Sequence, residues 1–145
     1  MIENLYLLST LVLGLLAGSL LTEAIILVPY WRRMAASEFF RLHNSLGPHL
    51  FRYYAPLTVA AVGLAVLAAI VSGTANAPRM ISAGLCLCAL AIFFIYFQAA
   101  NNRFATHDMA DHELSGELAK WARWHWLRTI IIILALGTSI FSHTL

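Results

Sequence analysis

The sequence predicts an all-α fold: a polytopic membrane protein with four transmembrane helices in an up-down-up-down bundle and a short interfacial helix between spans one and two. Three observations predict it. The 145 residues are 61% hydrophobic and only 11% charged, with mean hydropathy +0.77, outside the range of soluble domains. Apolar stretches recur four times, at about 5–28, 55–71, 80–100 and 126–141. With flanking aromatic residues each can cross a hydrocarbon core of about 30 Å. Charge is the third observation. Of nine Lys and Arg, Arg32, Arg33, Arg41 and Arg52 fall at or between spans one and two, and Arg103, Lys120, Arg123 and Arg128 at or between spans three and four. Arg79 alone lies on the opposite side. The positive-inside rule then puts both long loops in the cytoplasm and both termini outside, in an inner (cytoplasmic) membrane. The net charge of +2 reflects this topology and does not point to nucleic acid.

The chain reads as one domain, 1–145, with spans at about 5–30, 49–72, 79–102 and 117–142. Span one is too long for a signal-peptide core and has no Lys or Arg before it, so it is expected to be retained. Its Gly14-Leu-Leu-Ala-Gly18 spacing allows close approach of a helix from this chain or from a second copy. Glu23 lies well inside the span, and Trp31-Arg32-Arg33 closes it as an interfacial anchor. The segment from Glu38 to Leu46 reads as an amphipathic helix in the interface, ended by Gly47-Pro48. Span two restarts there, and His49, Arg52 and Tyr53 form a polar stripe as it enters the membrane.

Residues 72–78 read as a short external turn. Cys86 and Cys88, two apart on a helix, point in opposite directions and serve as small packing residues. Span three closes with Gln98, Asn101 and Asn102 at i, i+3 and i+4. The loop carrying His107, Asp108, Asp111 and His112 matches no metal-ligand spacing and reads as solvated, and His143 reads as surface. Span four opens on Trp121-Ala-Arg-Trp124-His125-Trp126-Leu-Arg128, which sets Trp121, His125 and Arg128 on one helical stripe.

Alternating span direction brings Glu23, the His49/Arg52/Tyr53 stripe, the three amides and the His125/Arg128 pair to one level, near the cytoplasmic side. Polar groups in lipid need partners, so the four helices are expected to share a network or a pocket. One reading is a purely structural staple, with Glu23 neutralising Arg128 while His125, Asn102 and Tyr53 complete the hydrogen bonds. The other is a site, with Glu23, His125, Arg128 and Asn102 as catalytic groups. Tyr53, Arg52, Gln98, Asn101, Trp121 and Trp124 would then line the substrate.

Three chemistries stay open. Glu23, His49 and His125 form a two-histidine, one-carboxylate metal set. His49 and His125 could be axial ligands of a haem. With neither metal nor haem, Glu23 or His125 would take a proton from an acidic lipophilic aromatic, with Arg128 and the amides stabilising the anion. No Gly-rich nucleotide loop, nucleophile elbow or zinc-hydrolase signature is present.

Three features together resemble the anthrone-oxygenase-like family of small four-helix membrane proteins, in that family's order. They are the Gly-rich first span leading to an acid and Pro29, Asn101-Asn102-Arg103-Phe104 closing span three, and Trp121-x-x-Trp124-x-x-x-Arg128 opening span four. The resemblance implies a four-helix bundle whose named members oxidise anthrones to anthraquinones with molecular oxygen. Asn102, Trp121, Trp124 and Arg128 match the recurrent positions, and His125 stands where many relatives carry asparagine, which marks a Trp-His-Trp subgroup. Two functions follow as expectations. One is an oxidoreductase or oxygenase acting on a lipophilic aromatic or quinone-like substrate in a cytoplasmic-side pocket. The alternative is a non-catalytic membrane subunit or binder of haem, metal, lipid or a partner protein. The expected partners are the bilayer and a lipophilic small molecule, with a homo-oligomer or larger membrane complex as further options.

Overall fold

The computed structural model describes residues 2–73 and 75–144. It has four long helices, α1 (Ile2–Trp31), α2 (Ala36–Ser72), α3 (Ala77–Thr106) and α4 (Asp111–Phe141), each long and apolar enough to cross a membrane. Contacts close a ring: α1 packs on α2 and α4, and α3 on α2 and α4. Arg79, at the start of α3, lies over the Tyr6 ring near the start of α1. Thr10 of α1 meets Ser139, near the end of α4, and His143 just beyond it. The starts of α1 and α3 and the end of α4 therefore share one end of the molecule. Outward faces carry Leu7, Leu11, Ile25, Val59, Ile70, Ile95 and Leu134, all exposed in the isolated chain. So much outward apolar surface suits a lipid environment rather than water.

The core divides in two. At the end holding Thr10 and Ser139, Leu13, Leu16 and Leu20 of α1 pack against Ala61, Ala65, Cys86, Ala89, Ile132 and Ala135. Alanines there let backbones approach closely. The other half is built from large rings, with Trp31, Phe39, Phe40, Tyr96, Phe97, Phe104 and Trp121 buried together. The cavity described below is walled by both halves, by Leu16, Cys86 and Ile132 as well as by Phe97, Phe104 and Trp121.

Two elements differ from expectation. The separate interfacial helix is absent, because α2 runs unbroken from Ala36 to Ser72 with Pro48 and Pro56 inside it. A proline removes one ladder bond and strains its turn, costing about 3 kcal/mol. Burial of Phe39 and Phe40 on one side of Pro48, and of Ala61 and Val62 beyond Pro56, holds both parts in line. At ~1.5 Å per residue α2 is ~55 Å long, so its first turns extend past a hydrocarbon core of ~30 Å. The second difference is a pair of π-helical turns, Glu23–Leu27 in α1 and Phe93–Phe97 in α3. In the first, Val28 N–H bonds Glu23 C=O, five residues back. Pro29 follows directly and has no N–H to offer the Ile25 carbonyl, which favours widening the ladder just before it.

Smaller expectations resolve locally. Gly14 is used within the chain, since a Cβ there would meet Leu136 of α4 at 3.8 Å. Cys86 is buried and Cys88 exposed, both free thiols. In the turn between α2 and α3, whose Thr74 lies outside the described residues, Gly73 takes φ 68°. Asn76 Oδ1 accepts from the Arg79 N–H at 3.1 Å. His107, Asp108, Asp111 and His112 are exposed.

Candidate functional site

Glu23, His125 and Arg128 meet. His125 Nε2 lies 2.9 Å from the Leu20 carbonyl, and Arg128 Nη2 lies 3.0 Å from His125 Nδ1. A guanidinium only donates and a carbonyl only accepts, so Nδ1 must be the bare nitrogen and Nε2 must carry the proton. Glu23 Oε2 closes the cluster, 3.8 Å from His125 Nδ1 and 3.9 Å from Arg128 Nη2. Glu23 is 4% exposed and His125 0%. The Arg128 guanidinium also sits 4.2 Å above the Phe97 ring, a cation–π contact that holds the charge in an apolar wall.

The support behind this cluster is aromatic. Trp121 stacks flat on the His125 ring, with centroids 5.0 Å apart and planes 10° apart. Its indole N–H donates to Asn101 Oδ1 at 3.0 Å. Trp31 packs edge-on against Trp121 from α1. Thr129 donates back to the His125 carbonyl at 2.8 Å. The Trp-x-x-x-His-x-x-Arg spacing of α4 thus places an indole plate, an imidazole relay and a guanidinium in sequence along one stripe.

A cavity of about 1120 Å³ opens beside the cluster, chiefly between α2 and α3. Glu23 and Arg128 reach it from α1 and α4, and Gln98, Asn101, Asn102 and Trp121 also line it. Its walls are otherwise mostly apolar, including Leu50, Phe51, Phe93 and Phe97. Among the described residues, three buried side-chain polar atoms have no hydrogen-bond partner: Glu23 Oε2, His43 Nδ1 and Arg128 Nε. All three belong to residues on the wall of this one cavity. A buried group left unpaired costs about 1–3 kcal/mol, and these three atoms are themselves closed off, so other atoms of Glu23, His43 and Arg128 form the cavity wall.

The far end of the bundle is the contrast. There Thr10 pairs with Ser139 at 2.7 Å, and Ser82 donates to the Ala135 carbonyl at 2.8 Å.

Several expected site residues lie elsewhere. His125 does not face the cavity; both ring nitrogens are taken up in holding Arg128 to α1, so it is neither a free base nor a free ligand. His49, Arg52 and Tyr53 are exposed on α2, and the Tyr53 hydroxyl pairs with Ser19 Oγ at 2.7 Å. They do share one face, as their spacing predicts, but α2 runs straight through Pro48 and turns that face away from the bundle. Trp124 stacks on Tyr96, with centroids 5.2 Å apart, and is not part of the cavity wall. The metal set of Glu23, His49 and His125 is therefore not assembled. No group of three or more His, Cys, Asp or Glu gathers at ligating distance among the described residues. Nor do His49 and His125 fit a haem between them, one being exposed and the other fully bonded.

Tyr54, His43 and Asn44 line the cavity and were not anticipated. Tyr54 donates to the Ser19 carbonyl at 3.0 Å. His43 falls four residues after Phe39 and before Gly47, a spacing that could have marked it.

No protein-family model, curated protein or solved structure matches this chain.

Proposed function

We propose that this is an integral membrane protein whose cavity takes up a lipophilic aromatic molecule with an acidic O–H or activated C–H. Glu23 accepts that proton and Arg128 stabilises the anion formed. The observation that carries this reading is the pairing of a carboxylate from α1 and a guanidinium from α4, Glu23 and Arg128, 3.9 Å apart, both on the wall of a mostly apolar cavity. In such a place water does not compete for the proton, and a fixed cation is worth more than it would be in solvent. His125 is a positioning residue that aims Arg128.

The resemblance to anthrone oxygenases supplies the reaction. Loss of the methylene proton gives a carbanion, and molecular oxygen is the oxidant. One oxygen atom stays as the second carbonyl of the anthraquinone and the other leaves as water. The skew of basic residues supports a cavity end at the cytoplasmic face of an inner membrane. A second reading, a binder that does not turn its ligand over, is favoured by one fact: the imidazole beside Glu23, His125, has both ring nitrogens engaged and offers Glu23 no acid–base partner.

Oxygen uptake by detergent-purified protein supplied with anthrone tests the choice. Wild type should exceed the detergent blank, and Glu23→Gln should lose about 100-fold, the scale of one positioned general base. A Glu23→Gln protein that oxidises anthrone at the wild-type rate overturns the assignment. Anthrone binding without oxygen uptake selects the binder.

A further inference from the structure

Away from Glu23 and Arg128 the cavity becomes a slot between two helical stripes. From Phe51 to Val62 of α2 its wall residues are Phe51, Tyr54, Ala55, Thr58, Val59 and Val62. From Cys86 to Phe97 of α3 they are Cys86, Ala89, Leu90, Phe93, Phe94 and Phe97. Both sets follow i, i+3, i+4, i+7, i+8, i+11, so each is one continuous, largely apolar stripe along its helix. Leu16 and Leu20 of α1 and Ile132 of α4, all buried, form the back of the slot. Phe51, Val59 and Phe94 line it and are also exposed on the outside of the bundle, so its open side faces whatever surrounds the helices. In a membrane that is lipid.

The two ends of the slot differ. At one, Val62, Cys86 and Ala89 belong to the alanine-rich core, which closes it. At the other, Asn44 of α2 and Gln98, Asn101 and Asn102 of α3 put four amides on the wall. Asn44, Gln98 and Asn102 are exposed. Asn101 Oδ1 takes the Trp121 indole N–H, which leaves its own N–H groups for another acceptor. At ~1.5 Å per residue each apolar stripe is ~16 Å long, about half of a hydrocarbon core of ~30 Å, which is the depth of one leaflet. Amide N–H groups donate and ester carbonyls only accept, so the amide end suits the glycerol-ester level of a lipid more than a charged head group.

We infer that the slot holds one acyl chain of a bilayer glycerolipid. Its ester carbonyl accepts from the amides, and the chain runs along the two stripes toward Cys86. This goes beyond the proton transfer proposed above and needs neither Glu23 nor Arg128. A lipophilic substrate bound for Glu23 then enters sideways from the bilayer, between α2 and α3, and displaces the chain.

Photo-cross-linking in phosphatidylcholine vesicles tests this, with a fraction of the lipid carrying a mid-chain diazirine and labelled residues located by tandem mass spectrometry. Lipid around the bundle reaches outward residues such as Leu11, Leu87 and Ile133, whereas Leu16, Cys86 and Ile132 are buried and reachable only through the slot. Wild type should carry label on both sets. Label confined to the outward set overturns the inference. Ala55→Phe and Thr58→Phe, two independent plugs, should each lose the inner label and keep the outer. Inner label at the wild-type level in both would show that the chain reaches those residues by another route, which also overturns it. Replacing Gln98 and Asn102 together by leucine should lower the inner label about tenfold, the scale of one lost hydrogen bond. No change there would overturn the placement of the ester at the amides. Saturating anthrone should also reduce the inner label. Inner label that anthrone leaves untouched counts against the substrate reading and leaves the lipid inference standing.

Discussion

At the scale of single residues, the site is organised by what His125 gives up. Its two nitrogens spend their capacity on Leu20 and Arg128, so the imidazole does no chemistry of its own and instead joins α1 to α4. His125→Ala should therefore do two things together. It leaves the Leu20 carbonyl short of a partner and opens a void under Trp121, which should cost about 2–4 kcal/mol in detergent unfolding. It also releases Arg128, so ligand affinity should fall even at temperatures where the bundle is intact. A stability loss with unchanged affinity would show that Arg128 is held without the imidazole. Arg128→Lys is not a conservative change here, because an ammonium cannot bond Nδ1, lie flat on Phe97 and face Glu23 at once.

At the scale of elements, the two halves of the bundle should answer differently to added volume. Ala61 is fully buried among α1 residues and neighbouring alanines. Ala61→Leu forces closely packed helices apart and should cost about 1–3 kcal/mol. Ala55 lies on the cavity wall. Ala55→Phe has space to occupy, so it should leave the unfolding midpoint near wild type while blocking the ligand. Equal destabilisation by both substitutions would mean that the aromatic half is packed as tightly as the alanine half. The π-helical turn at Glu23 belongs to this scale too. The acid sits at the start of a widened turn, directly after the turn from which Leu20 reaches His125.

At the scale of the whole molecule, the question is which end faces which compartment. Arg32 and Arg33, between α1 and α2, and Asp108, between α3 and α4, should all lie on the cytoplasmic side if the basic skew governs insertion. Single cysteines at Arg33, Asp108 and Gly73, in a background with Cys86 and Cys88 replaced by alanine, test this. The first two should be blocked by a membrane-impermeant maleimide only after the cells are opened, and the third in intact cells. The opposite pattern would invert the protein and move the cavity to the outer face. The second polar cluster also belongs here. Glu117 accepts from Tyr96 at 2.9 Å and lies 3.7 Å from Arg103, tying α3 to α4 outside the cavity.

Residue pattern by itself determined the four helices, because long apolar runs without charge have few other ways to satisfy their backbone in lipid. It also determined that Glu23, His125 and Arg128 would meet, since buried charges at one depth on neighbouring helices have few other partners. Helical phase across prolines was not legible. A strand of polar residues such as His49, Arg52 and Tyr53 looks inward or outward according to a rotation that Gly47-Pro48 leaves undefined. Only tertiary packing decided that Tyr54 and His43 line the cavity, that Tyr53 does not, and that α2 continues through Pro48. It alone decided that the His125 nitrogens are both committed. That outcome depends on where the Leu20 carbonyl falls, and the position of a backbone atom on a distant helix is set by packing and not by periodicity.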